Sequence, residues 1–163
     1  MAWKCCLPHR SVKIISDCLK EAARDAPLTL AFDTATYRDF DCLADEMAAS
    51  LAASGIGEGD RIALLHPPCR DAAALFFAAW CIGASICPLS LRIPPSQLEA
   101  HLARLDARAL IGSFPISCSL RKTAHPPLSF PAALLFTSGS TSLPKIALLS
   151  LSHLLSNAEP AAK

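Results

Sequence analysis

The chain has 163 residues, of which 52% are apolar and 18% charged, with a formal charge of +1. That length suits one domain with a real core, and that balance argues against disorder. A near-neutral chain also lacks the basic field that draws nucleic acid, so no nucleic-acid partner is expected.

Ser11–Arg24 carries apolar residues at Val12, Ile15, Leu19 and Ala22–Ala23, a spacing that predicts an amphipathic helix. Leu28–Phe32 and Thr34–Tyr37 read as two short strands around a turn at Asp33. Thr36 then fits an N-cap, with Asp39 three residues on in a capping-box arrangement. Phe40, Leu43, Met47 and Leu51 make one apolar stripe, and Gly55 stands where a left-handed helix end belongs. After the turn Gly57–Asp60, Arg61–Leu65 reads as a strand buried on both faces. A helix over Arg70–Ile82 and a strand over Ser85–Leu89 follow.

Pro94-Pro95-Ser96 opens a helix through Leu105, and Arg108–Ile111 is a further strand. Ser113–Phe130 is polar, proline-bearing and aperiodic, which predicts a loop. Ala132–Phe136 and Ile146–Leu149 read as strands, and Ser150–Asn157 begins a helix. Strand and helix alternate with near-continuous apolar strands. The expected fold is α/β, a mainly parallel sheet flanked by helices.

Two features point elsewhere. Ala72–Leu91 contains no charge, and its length would span a bilayer, giving an alternative reading as a small membrane protein. Gly83, Ser85, Pro88 and Ser90 divide it, so no stable span is expected. The eight cysteines form no C-x-x-C pair, and no histidine stands at zinc-finger spacing from a pair of them. They read as buried free thiols, with no metal site assigned. Met1–Pro8 is too short and mixed for a secretory leader, so the expected compartment is a reducing cytoplasm.

The chemistry concentrates at Thr137–Lys145. An apolar strand runs directly into Thr137, Ser138, Gly139, Ser140, Thr141 and Ser142, which is five hydroxyls and one glycine in succession. Ligands bind at the carboxyl ends of strands in open α/β sheets. Hydroxyls and free backbone N–H groups suit phosphate oxygens, and Gly139 lets the backbone approach closely. Pro144 stiffens the exit and Lys145 supplies a positive charge. A flexible Ser/Thr linker is the competing reading; the preceding strand and the closing Pro-Lys count against it. The loop is not a Walker A motif, because Pro144 rather than glycine precedes Lys145 and Ile146 follows it.

At these residues the chain resembles the adenylate-forming superfamily of acyl-CoA synthetases and aryl-CoA ligases, whose loop reads T-S-G-S-T-G-x-P-K-G. It departs from that pattern at Ser142 and Ile146. Four further segments resemble the family in the same order: Thr36–Phe40, Gly57–Ala63, Gly83–Leu89, and Ser152-His153 with Asn157-Ala158. The resemblance implies the first part of the family's large N-terminal domain. It implies a carboxylic acid, ATP with Mg2+, and coenzyme A as reactants: adenylation of the acid, then transfer to the thiol. The loop residues Thr137–Ser142 and Lys145 would hold the β- and γ-phosphates by charge and positioning. Ser142 raises the cost of a positive φ, and Ile146 is expected to crowd the following strand, giving a stiffer but working loop. His153 is expected to pack rather than react, and His9, His66, His101 and His125 receive no role.

The short Ser113–Phe130 connector and the apolar Ile146 are similar to the 2-succinylbenzoate–CoA ligases of menaquinone synthesis. A general acyl-CoA ligase or an amino-acid-activating domain fits nearly as well. The family's acyl pocket, adenine motif, ribose-binding aspartate and C-terminal catalytic lysine find no counterpart in these residues. Residues 1–163 are therefore expected to form a partial AMP-binding domain, inactive alone. It would be either a piece completed by a separately encoded C-terminal half or a non-enzymatic remnant. No catalytic residue is assigned.

Overall fold

The computed structural model describes residues 12–114, 116, 118–121, 133–137, 145–150 and 153–154. The first helix, α1 (Val12–Asp25), leads to a small antiparallel pair, β1 (Leu30–Phe32) and β2 (Ala35–Thr36). Asp33 makes the turn between them in the left-handed region, at φ 52°. Helix α2 (Tyr37–Ala53) starts where the sequence placed it. Thr36 Oγ1 accepts the Asp39 N–H at 3.2 Å, and Asp39 Oδ2 accepts the Thr36 N–H at 3.1 Å and its hydroxyl at 2.7 Å. These bonds from Thr36 hold the Asp39 carboxyl below the usual carboxylate range. The far end closes through Gly55 at φ 79°, with Ile56 N–H bonded to Leu51 O at 3.1 Å. Leu51 and Ile56 are buried together there, the apolar contact that accompanies such an ending.

The main sheet contains β3 (Arg61–Leu64), β4 (Ser85–Pro88), β5 (Ala109–Ile111), β6 (Cys118–Leu120), β7 (Ala133–Thr137) and β8 (Lys145–Leu149). Their spatial order is β6-β5-β3-β4-β7-β8. The inner pairs β5–β3, β3–β4 and β4–β7 are parallel, and the outer pairs β5–β6 and β7–β8 are antiparallel. Helix α3 (Arg70–Cys81) joins β3 to β4, and α4 (Pro95–Leu105) joins β4 to β5. The sheet is thus the mainly parallel one expected, flanked by helices.

Alternation along the strands sorts the core into two layers. Ile62, Leu64, Ile86, Ala109 and Ile111 face one side, with Leu51, Leu75, Ala78 and Phe40 of the helices. Ala63, Cys87 and Leu134 face the other, with Leu102 and Leu105 of α4. The two-residue period places α1, α2 and α3 over one face and α4 over the other. Arg61 at the start of β3 reaches the end of α4, where its Nη1 bonds Asp106 Oδ2 at 2.8 Å with both side chains buried.

One expectation changes. The segment expected as a loop over Ser113–Phe130 contains β6, whose residues Cys118–Leu120 pair with Ala109–Ile111. That pairing satisfies backbone groups on the outer edge of β5, a long-range demand that local composition does not report. Arg108 strengthens it, its backbone carbonyl taking the Arg121 N–H at 2.8 Å and its guanidinium bonding Arg121 O at 2.7 Å. Residues 122–130 lie outside the described residues. The uncharged run Ala72–Leu91 is no span: α3 ends at Cys81, Gly83 turns at φ 75°, and β4 begins at Ser85. A Cβ on Gly83 would also stand 3.1 Å from Glu58 Cγ. No described helix is long and apolar enough to cross a membrane.

Candidate functional site

Strand β7 is attached to the parallel core through Ala133, which pairs with Ile86 of β4. Leu134 is buried in the second core layer, whereas Thr137, at the carboxyl end, is exposed. The chain returns as β8 in antiparallel register: Thr137 opposes Lys145, Phe136 opposes Ile146, and Leu134 opposes Leu148. The first and last members of the expected phosphate loop are therefore brought face to face. Directly opposed residues hold their Cβ atoms about 5 Å apart. Thr137 Oγ1 donates to Lys145 O at 3.3 Å, which places this hydroxyl proton inside the neck of the loop. Among the expected site residues, Ser138, Gly139, Ser140, Thr141 and Ser142 lie outside the described residues, as does Pro144.

Ile146 does not crowd β8. It is half-buried opposite Phe136 and packs against the second core layer, where a β-branched side chain suits the pleated strand. Phe136 is braced from α4 by the His101 ring, at 4.8 Å between centroids and nearly edge-on. His101 is held in turn by its Nδ1 contact with Gln97 O at 2.8 Å. Sequence reasoning gave His101 no role; its signal, a histidine one turn after Gln97 on the helix facing β7, is visible only with the fold.

Thr137 and Lys145 at the neck are both exposed. An exposed ammonium is a donor for the oxygens of a polyphosphate. Among the described residues there is no group of three or more His, Cys, Asp or Glu that would hold a metal ion. A magnesium ion brought in on phosphate oxygens asks for few protein ligands, which fits a donor set of this kind.

The same end of the sheet carries a second polar group to which the sequence pattern assigned no role. His66, just beyond β3, has its Nδ1 at 2.9 Å from Pro67 O and 3.6 Å from Cys69 Sγ. Cys69 is the N-cap of α3, and its sulfur accepts the Ala72 N–H at 3.3 Å. The H-x-x-C spacing immediately before a helix was the available signal. His153 pairs reciprocally with Ser150: its Nδ1 accepts the Ser150 N–H and its N–H reaches Ser150 Oγ, both at 3.4 Å. Its ring thus takes part in a local bond with Ser150, and the residue is exposed. His9 and His125 lie outside the described residues.

The family profile described as "AMP-binding enzyme" matches residues 19–129, a span that ends before Thr137. The long-chain-fatty-acid–CoA ligase FadD13 of Mycobacterium tuberculosis is 33% identical over 95 residues, covering 56% of this chain and 19% of its own length. The chain thus spans about a fifth of that relative. Among solved structures, a Mycobacterium tuberculosis fatty acyl CoA synthetase superposes with a TM-score of 0.77 at 22% identity, over 92% of this chain and 37% of that one. The N-terminal subdomain of Klebsiella oxytoca NpsA, in complex with anthranilyl-AMSN, superposes with a TM-score of 0.68 at 28% identity. That match covers 83% of this chain and 41% of the other.

Proposed function

Because the chain belongs to the AMP-binding enzyme family, we propose that it forms the ATP-phosphate grip of an acid–thiol ligase, within a partial N-terminal domain formed by residues 1–163. The observation that carries this reading is the β7–β8 neck, which sets Thr137 opposite Lys145 at the carboxyl end of a strand in the parallel sheet. In this reading Lys145 takes the β- and γ-phosphates, and the hydroxyls of Ser138, Ser140, Thr141 and Ser142 with the Gly139 backbone surround them. Thr137 plays a different part, since its hydroxyl, bonded to Lys145 O, holds the neck in register. The magnesium ion arrives with the nucleotide. A carboxylate then attacks the α-phosphorus and pyrophosphate leaves; a thiol, coenzyme A in the family's ligases, displaces AMP from the acyl-adenylate. The loop contributes charge stabilisation of the departing pyrophosphate and fixed geometry for the attack.

The acid remains the finer proposal. An activator of 2-succinylbenzoate is favoured by the apolar Ile146, half-buried against the core beside the neck. The relatives' names refer to a fatty acid in one case and an anthranilyl group in the other. A cytoplasmic setting goes with these soluble reactants. The test of the grip is direct binding of magnesium-ATP to this chain, compared with Lys145→Ala. Carboxylate-dependent ATP–pyrophosphate exchange is expected only when the rest of the domain is supplied; exchange by this chain alone would contradict the division of labour.

A further inference from the structure

Strand β7 is tied to the parallel core at one register position, Ala133 against Ile86 of β4. Phe136 lies three residues farther along, about 10 Å away at the rise of a strand. There it is half-buried against the second core layer, opposite Ile146 of β8. The His101 ring of α4 meets it nearly edge-on, with centroids 4.8 Å apart. Thr137, the next residue, and Lys145 opposite it form the neck. Helix α4 presents Leu98, Leu102 and Leu105 to the same layer, and His101 stands among them at helical spacing. The Gln97 carbonyl can only accept, so Nδ1 of His101 carries the proton of their 2.8 Å bond. That bond fixes the rotation of the ring, which therefore meets Phe136 in one orientation.

Given the reading of the β7–β8 neck as an ATP-phosphate site, we propose that His101 is a positioning residue for that grip. Its ring, through Phe136, fixes the direction in which the neck presents the Lys145 ammonium. The Thr137 hydroxyl bond to Lys145 O, at 3.3 Å, holds the two strands to each other. It does not hold the pair to the rest of the molecule. His101 does so, from the helix that covers this face of the sheet. With the ring removed, Phe136 has room to move and the hairpin pivots about its attachment at Ala133. A shift of about 1 Å in the ammonium weakens a contact that depends on close approach to phosphate oxygens.

The experiment is calorimetric titration of the whole chain with magnesium-ATP, comparing the parent with His101→Asn, His101→Phe and Lys145→Ala. Asparagine keeps an N–H donor near the Gln97 carbonyl and removes the ring; phenylalanine keeps a ring and removes the donor. His101→Asn is expected to weaken binding about fivefold, and His101→Phe to stay within about twofold of the parent. On a Lys145→Ala background His101→Asn should cause no further loss, because the ammonium it directs is gone. A general loosening of the domain would weaken both backgrounds alike. Each protein is first shown to unfold cooperatively in urea. Where His101→Asn does not, Phe136→Leu takes its place: it removes the partner ring and is expected to give the same loss. Equal affinity in the parent and the folded ring-removing variant would overturn the proposal. So would a loss in His101→Phe as large as in His101→Asn, or an undiminished loss on the Lys145→Ala background. No binding by the folded parent brings down the grip and the part of His101 together, whereas parent binding that is insensitive to His101 brings down only the latter.

Discussion

The two halves of the sheet are built on different terms. In β3, all four residues are buried, and parallel neighbours on both sides cover its backbone. In the β7–β8 pair, Ala133 and Leu134 are buried, but Leu135, Thr137, Lys145 and Leu148 are exposed. The first region is specified by packing: its side chains are fixed from both faces, and any change in volume is felt. The second is specified by backbone pairing, and its side chains are free to meet a ligand. In the proposed reading, stability and ligand recognition are therefore carried by neighbouring strands within one sheet, joined at the Ile86–Ala133 pair.

This contrast breaks most visibly in the core. Ile86→Ala, at a site with no exposure, is expected to cost about 2–5 kcal/mol in urea denaturation. Leu148→Ala in β8 removes a side chain that is 57% exposed and is expected to stay within about 0.5 kcal/mol. Equal losses at the two sites would erase the distinction. An intermediate loss belongs to the cap of α2, which packs against the core helices but presents its first turn to water. Thr36→Ala is expected to cost about 1 kcal/mol. Its pH dependence follows from the lowered Asp39 carboxyl, held down first by the Thr36 hydroxyl. A carboxyl depressed in the folded state stabilises above its unfolded value, near pH 4, and that stabilisation fades as pH falls through the folded value. Stability curves from pH 6 to pH 2 should therefore show a shallower acid-side loss in Thr36→Ala than in the parent. Parallel curves would mean that Asp39 does not depend on the cap.

Where signals are local, the sequence was a good guide. Thr36 and Asp39, the Gly55 exit, and the breaks around Gly83 each depend on residues a few positions apart, and each stands where expected within a residue or two. The unbroken apolar run of β3 announced burial on both faces. Non-local demands were hidden. Strand β6 forms because β5 has an unpaired edge, and nothing in Cys118-Ser119-Leu120 says so. Of the phosphate loop, the residue types were legible, but the direct opposition of Thr137 and Lys145 depends on β7–β8 register. Ile146 looked obstructive only while its partner Phe136 and the core beneath it were unseen.

The central claim is that the β7–β8 neck grips phosphate while the parallel core merely supports it. Its most direct test is calorimetric titration of this chain and of Lys145→Ala with magnesium-ATP, alongside urea denaturation of both. The account predicts saturable binding by the parent, weakened about tenfold or more in Lys145→Ala, with unfolding free energies within about 0.5 kcal/mol of each other. Equal ATP affinity in the two folded proteins, or no binding by the folded parent, would contradict it.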